Sequence, residues 1–124
     1  MMETWIYNCL SENIGAKLTV YPDHLPQGID APYLIFSIVN VNPDDTKDGQ
    51  NMQTIDLQVS MFNDDTLAET IGWANELKTD INNTSYVASG AQIQSIRFVD
   101  RDWQYMPDGK LYLVDDIYRL RIWE

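Results

Sequence analysis

Between Met52 and Phe62 apolar and polar side chains take turns. Ile55, Leu57, Val59 and Met61 fall on one side, and Thr54, Asp56, Gln58 and Ser60 on the other. A period of two predicts a strand with one buried and one wet face. Asn63-Asp64-Asp65 breaks that pattern. Thr66 and Glu69 then stand at capping-box spacing, so either Asp65 or Thr66 is the expected helix N-cap. Leu67, Ile71, Ala74, Leu77 and Ile81 follow in steps of three and four, one apolar stripe of a helix. The rest of the chain is expected to extend this strand's sheet or to cover it.

The same reading assigns the other elements. Ile6, Leu10, Ile14 and Leu18 lie four apart and predict a helix over Thr4–Leu18, with Gly15 weakening its last turn. Val20 and Tyr21 suit a short strand at Thr19–Tyr21. Pro22, Pro26, Gly28 and Pro32 mark a loop. Tyr33–Val41 is apolar except at Ser37 and Asn40, a strand covered on both faces or one that meets another subunit. Asn42–Asn51 is polar and reads as a long hairpin loop, either a mobile tip or a segment held by another chain. Asn82–Gly90 is a turn-rich link. Gln92–Asp102 reads as a strand, yet Ile93 and Phe98 are an odd number apart, so a bulge is expected near Gln94-Ser95. Met106-Pro107-Asp108-Gly109 reverses the chain. Tyr118, Leu120 and Ile122 alternate with Arg119 and Arg121 in a closing strand. The expectation is one α+β domain over residues 1–124: two helices packed on one face of a mainly antiparallel four- to five-stranded sheet, in the order α-β-β-β-α-β-β.

Charge narrows the partners. Nineteen acids against eight bases give a formal net charge of -11. Nucleic acid and anionic membranes need a basic footprint that this chain lacks. No run approaches the length of a membrane span. Glu3, Asn8, Glu12 and Asn13 interrupt the first apolar stretch, so no secretory signal and an intracellular place of assembly are expected.

Chemistry is sparse. Cys9 falls on the first helix's apolar stripe and reads as a buried small hydrophobe. His24 stands in the Pro-rich loop without a nucleophile or second base near it in sequence. The pairs Asp44-Asp45, Asp64-Asp65, Asp115-Asp116 and Asp100/Asp102 lack calcium-loop spacing and read as solvated loop charge or helix N-terminal charge. No phosphate loop, dinucleotide fingerprint or zinc motif occurs, so no enzyme, cofactor or metal is expected. The four tryptophans are more informative. Trp73 lies off the main stripe of its helix, and Trp103 follows the charged run Asp100, Arg101, Asp102. Aromatics rimmed by charge are typical of protein interfaces.

In order and spacing the chain resembles the tail terminator, or minor tail completion, proteins of long-tailed phages and prophages. The likeness rests on three stretches taken together: the N-terminal amphipathic helix running into YPDHLPQGIDAPYLIFSIV (Tyr21–Val39), the strand-to-helix join TIDLQVSMFNDDTLAETIGWANELKTDI (Thr54–Ile81), and the closing DDIYRLRIW (Asp115–Trp123). The resemblance implies a structural protein that caps the head-proximal end of the tail tube as a ring, usually of six copies. Such a ring stops tube growth and offers a docking surface to the head. Its implied partners are copies of itself, the major tail tube protein and the head-completion or connector protein, with DNA passing through the lumen ungripped. Its implied place is the host cytoplasm during assembly and then the virion tail. Candidate interface residues are Tyr33 and Ile35 on the apolar strand, Asp45 and Lys47 in the long tip, and Trp73, Arg101 and Trp103 as the opposing patch. A head–tail connector of similar fold, and a small ligand- or peptide-binding module, are the competing readings. A concave pocket with converging polar groups would favour the second.

Overall fold

A computed structural model describes residues 2–23, 28–45, 51–87 and 92–123. The chain runs α1 (Met2–Ile14), β1 (Thr19–Pro22), β2 (Tyr33–Asp45), β3 (Asn51–Asn63), α2 (Leu67–Ile81), β4 (Thr84–Tyr86), β5 (Ile93–Met106) and β6 (Leu111–Trp123). The strands form one sheet in the order β1-β2-β3-β6-β5-β4. Only the β1–β2 pair is parallel among these neighbours. The α+β class and the mainly antiparallel sheet are as expected, and the strand count is six rather than four or five.

Both helices lie on one face. Ile6, Cys9 and Leu10 of α1 and Ile81 of α2 meet Leu57, Ile93, Ile96 and Leu120 of the sheet. All of these are buried. The alternation in β3 is what permits this: Ile55, Leu57, Val59 and Met61 share the helix-covered face, beside Leu120, Tyr118, Asp116 and Val114 of β6. The other face carries polar cross-strand pairs. Arg119 Nε donates to Asp56 Oδ1 at 3.0 Å, and Ser60 Oγ donates to Asp115 Oδ1 at 2.5 Å. At one end of this face Tyr33 stacks on Phe62, ring centroids 4.9 Å apart.

Local signals explain the element ends. Thr66 is the N-cap of α2, and its Oγ1 accepts from Glu69 N at 3.1 Å. The Glu69 carboxylate accepts from Asn63 Nδ2 at 3.0 Å, which ties the cap to the end of β3. The first helix stops at Ile14, earlier than its apolar stripe implied. A Cβ on Gly15 would come 2.3 Å from the Ser11 carbonyl oxygen, so the turn after α1 requires glycine. Leu18 stays in the core although it has left the helix.

Three expectations change. The hairpin loop placed at Asn42–Asn51 gives up Asn42, Pro43, Asp44, Asp45 and Asn51 to the β2–β3 ladder, and residues 46–50 of that stretch lie outside the described residues. The link at Asn82–Gly90 contains β4, a strand too short to show a period. The strands β5 and β6 reach much further toward their turn than the alternation suggested. The bulge expected near Gln94-Ser95 is present, since the register shifts between Ile93 and Ser95. A second shift falls between Phe98 and Asp100, leaving Val99 as the extra residue.

Candidate functional site

The β5–β6 hairpin carries the most conspicuous surface. From Asp102 to Met106 every residue of β5 is exposed. Trp103 is 57% exposed and Tyr105 47%, with Met106 also exposed. Tyr105 packs against Tyr112 across the hairpin, centroids 4.9 Å apart. The turn closes with Lys110 N donating to Pro107 O at 3.3 Å, and Lys110 itself takes the left-handed conformation.

Behind the tip lies a buried ion pair. Arg101 Nε donates to Asp116 Oδ1 at 2.7 Å and Nη2 to Oδ2 at 3.0 Å, a two-pronged contact. A third bond runs from Arg101 Nη1 to Asn75 Oδ1 at 2.6 Å, fastening the hairpin to α2. The Asp116 side chain is 2% exposed. Burial pushes its carboxyl above the usual carboxylate range, and the Arg101 guanidinium pulls it back only in part. The same bond holds the Arg101 pKa up. Lys78 Nζ sits 4.1 Å from the Phe98 ring centre, and Phe98 meets Tyr118 edge-on. The Tyr118 hydroxyl is buried with no hydrogen-bond partner among the described residues. Burial, with Asp116 nearby, raises its pKa.

The sequence-derived candidates are therefore spread out. Trp103 is exposed on the hairpin. Arg101 is half-buried and engaged within the chain. Trp73 is half-buried against the core. Tyr33 is buried and Ile35 half-buried, both on the face away from the helices. Asp45 ends β2, with its side chain outside the described residues. Lys47 and His24 lie outside the described residues altogether. Sequence reading missed Asp116, which it grouped with solvated acid pairs. The signal was available: Asp116 falls in step with Val114, Tyr118, Leu120 and Ile122 on the buried face.

Among the described residues no cluster of three His, Cys, Asp or Glu could hold a metal ion. Cys9 is buried, and burial with Glu12 nearby pushes its thiol up to about 11, an unreactive state. An open groove of about 410 Å³ lies between α1 and α2, bordered by Asn13, Lys17, Asn75, Glu76 and Asp80. The exposed Lys17–Glu76 pair spans it. No described helix is long and apolar enough to cross a membrane.

The model of the family described as "Tail completion protein gp17" matches residues 8–122. This chain belongs to that family. It is thus a structural component of phage tails, as the resemblance in its three stretches implied. The backbone agrees with a chain from a solved structure titled "Virion of native gene transfer agent (GTA) particle": TM-score 0.78, 14% identity, 99% of this chain and 98% of that one covered. At that identity the likeness concerns the fold. No similar protein was found among curated sequences.

Proposed function

We propose that this tail completion protein caps the head-proximal end of the tail tube as a ring of about six copies, halts tube polymerisation and presents the surface to which the head docks. The observation that carries the reading is the family match over residues 8–122. The geometry supports it in two ways. The exposed aromatic tip is a ready contact for a protein neighbour. A net charge of -11 suits a lumen through which DNA must slide without being gripped, because like charge repels phosphates. The role is structural: recognition and closure, with no bond made or broken. Its partners are other copies of the chain, the tube protein below and a head-completion or connector protein above. Assembly takes place in the host cytoplasm and ends in the virion.

Electron microscopy of particles made without the gene tests the reading. Overlong, headless tails are expected. Tails of normal length lacking heads would instead indicate a connector, and normal particles would remove both roles. Native mass measurement of the assembled form should give about 86 kDa for six copies of the 14.3 kDa chain.

A further inference from the structure

The sheet ends in two incomplete edges. The first strand covers β2 only from Tyr33 to Phe36, so residues 37–45 have no described strand beside them. The fourth strand covers β5 only from Ile93 to Ile96, and the Asn82 side chain extends that cover to Phe98. Beyond it, residues 99–106 are free in the same sense. Of the large apolar side chains that are exposed, Val39 and Val41 lie on the first free stretch, and Val99, Trp103, Tyr105 and Met106 on the second.

The backbone shows which groups point outward. Phe36 turns its carbonyl away from β3, accepting from Asp23 N at 2.8 Å. Counting along the ladder past the bulge at Val39 makes Val41 outward-facing as well. On β5, Ile96 O accepts from Asn83 N at 2.7 Å, and Phe98 N donates to Asn82 Oδ1 at 2.8 Å. Past the second bulge the same parity reaches Arg101 and Trp103. Their outward N–H groups are taken by the carboxylates of Asp100 and Asp102, each at 2.8 Å. Such caps keep a bare edge from indiscriminate pairing, and both carboxylates must swing aside before another strand can bond there.

The geometry points to direct strand pairing between copies: residues 37–45 of one copy join residues 99–106 of the next, antiparallel, making one continuous sheet around the ring. This rests on the ring reading above and adds how the ring closes. Three observations converge on a second copy as the occupant. The two strands run in opposite directions within the sheet, so copies placed side by side in the same orientation meet antiparallel. The outward-facing residues of both edges carry their side chains on the helix-covered face, so joining keeps faces continuous, and we take the register that sets the exposed Val41 against the exposed Trp103. The edges are different surfaces on opposite sides of the sheet, the head-to-tail arrangement that closes into rings. The free stretches also lie at opposite ends of the sheet. Neighbours are therefore staggered, with strands inclined to the ring axis as in a barrel.

The test uses assembled tails. One copy carries Val41→Cys, another Trp103→Cys; the native Cys9 is buried in both. On oxidation, or with a short bifunctional maleimide, a cross-linked dimer is expected only when the two variants are co-expressed. A second variant, Val41→Pro, removes an outward N–H that β3 does not use. Its incorporation into tails should fall at least about tenfold while the isolated chain melts near the wild-type temperature. Ring-capped tails that give no mixed cross-link and accept Val41→Pro normally would overturn strand pairing and leave the ring standing. Cross-linking of either single variant with itself would also overturn it, since that requires like edges to meet. Tails that contain no multiple copies of the protein would instead overturn the ring.

Discussion

Replacing Arg101 by alanine should be among the most costly single changes in this chain. It removes three hydrogen bonds, two of them to a carboxylate whose side chain is 2% exposed. Breaking a buried pair from one side typically costs about 3–5 kcal/mol, because the remaining charge is left uncompensated. Arg101 keeps 19% of its own surface, and Lys78 also acts favourably on Asp116, so a somewhat smaller loss applies, about 2–4 kcal/mol. For a chain of this length that is a fall of roughly 6–20 °C in melting temperature. Urea unfolding followed by tryptophan fluorescence measures it. The pH dependence is the sharper part. With Arg101 gone, the Asp116 pKa rises further, so the folded state holds a proton that the unfolded state releases. Its stability relative to wild type should then recover as pH falls through the Asp116 pKa. Adding Asp116→Leu to the alanine variant should restore most of the loss. An Arg101→Ala loss below about 0.5 kcal/mol, or one that does not shrink as pH is lowered toward the usual carboxylate range, would refute the reasoning.

Other outcomes follow from the same geometry. Tyr118→Phe should be neutral or stabilising by up to about 1 kcal/mol in urea unfolding, since the hydroxyl it deletes has no described partner. Thr66→Ala should cost about 1 kcal/mol by the same assay, through loss of the bond from Glu69 N, and Thr66→Ser should not. Leu77→Ala, at a fully buried site between α2 and the sheet, should cost about 2–5 kcal/mol. Cys9 should resist a thiol reagent at neutral pH until the chain is unfolded. Its folded pKa is raised from 9.0 to about 11, so the stability this thiol contributes is complete below pH 9 and is lost as pH rises through 11. A urea midpoint that stays flat over that alkaline range would contradict the assignment.

Much of this architecture was legible in the sequence because its core obeys simple periods. Ile55, Leu57, Val59 and Met61 announced the central strand, and the odd spacing of Ile93 and Phe98 announced a bulge that is there. The signal failed where local polarity and tertiary position disagree. Pro43, Asp44 and Asp45 look like a loop, yet they extend a ladder whose partner strand supplies the regularity. Proline is tolerated there because its missing N–H faces away from β3. Asp116 looks solvated beside Asp115, and only the alternation with Val114 and Tyr118 reveals that it faces inward. Its partner Arg101 lies fifteen positions away in sequence, on another strand, and no short-range rule connects them. Trp103 was marked out by its charged neighbours, and it is exposed, but it lies in the second half of a fourteen-residue strand whose last five residues are all exposed.

That hairpin is a ladder, with Trp103, Tyr105 and Tyr112 each paired to a residue across it. Tyr105 is already stacked on Tyr112 before any neighbour arrives. The Tyr105 and Tyr112 rings, held in this way, have little rotational freedom left to surrender when they are covered. Association through them should consequently carry a small entropic penalty, and a shallow contact of a few aromatic side chains can hold where the same residues on a floppy loop could not.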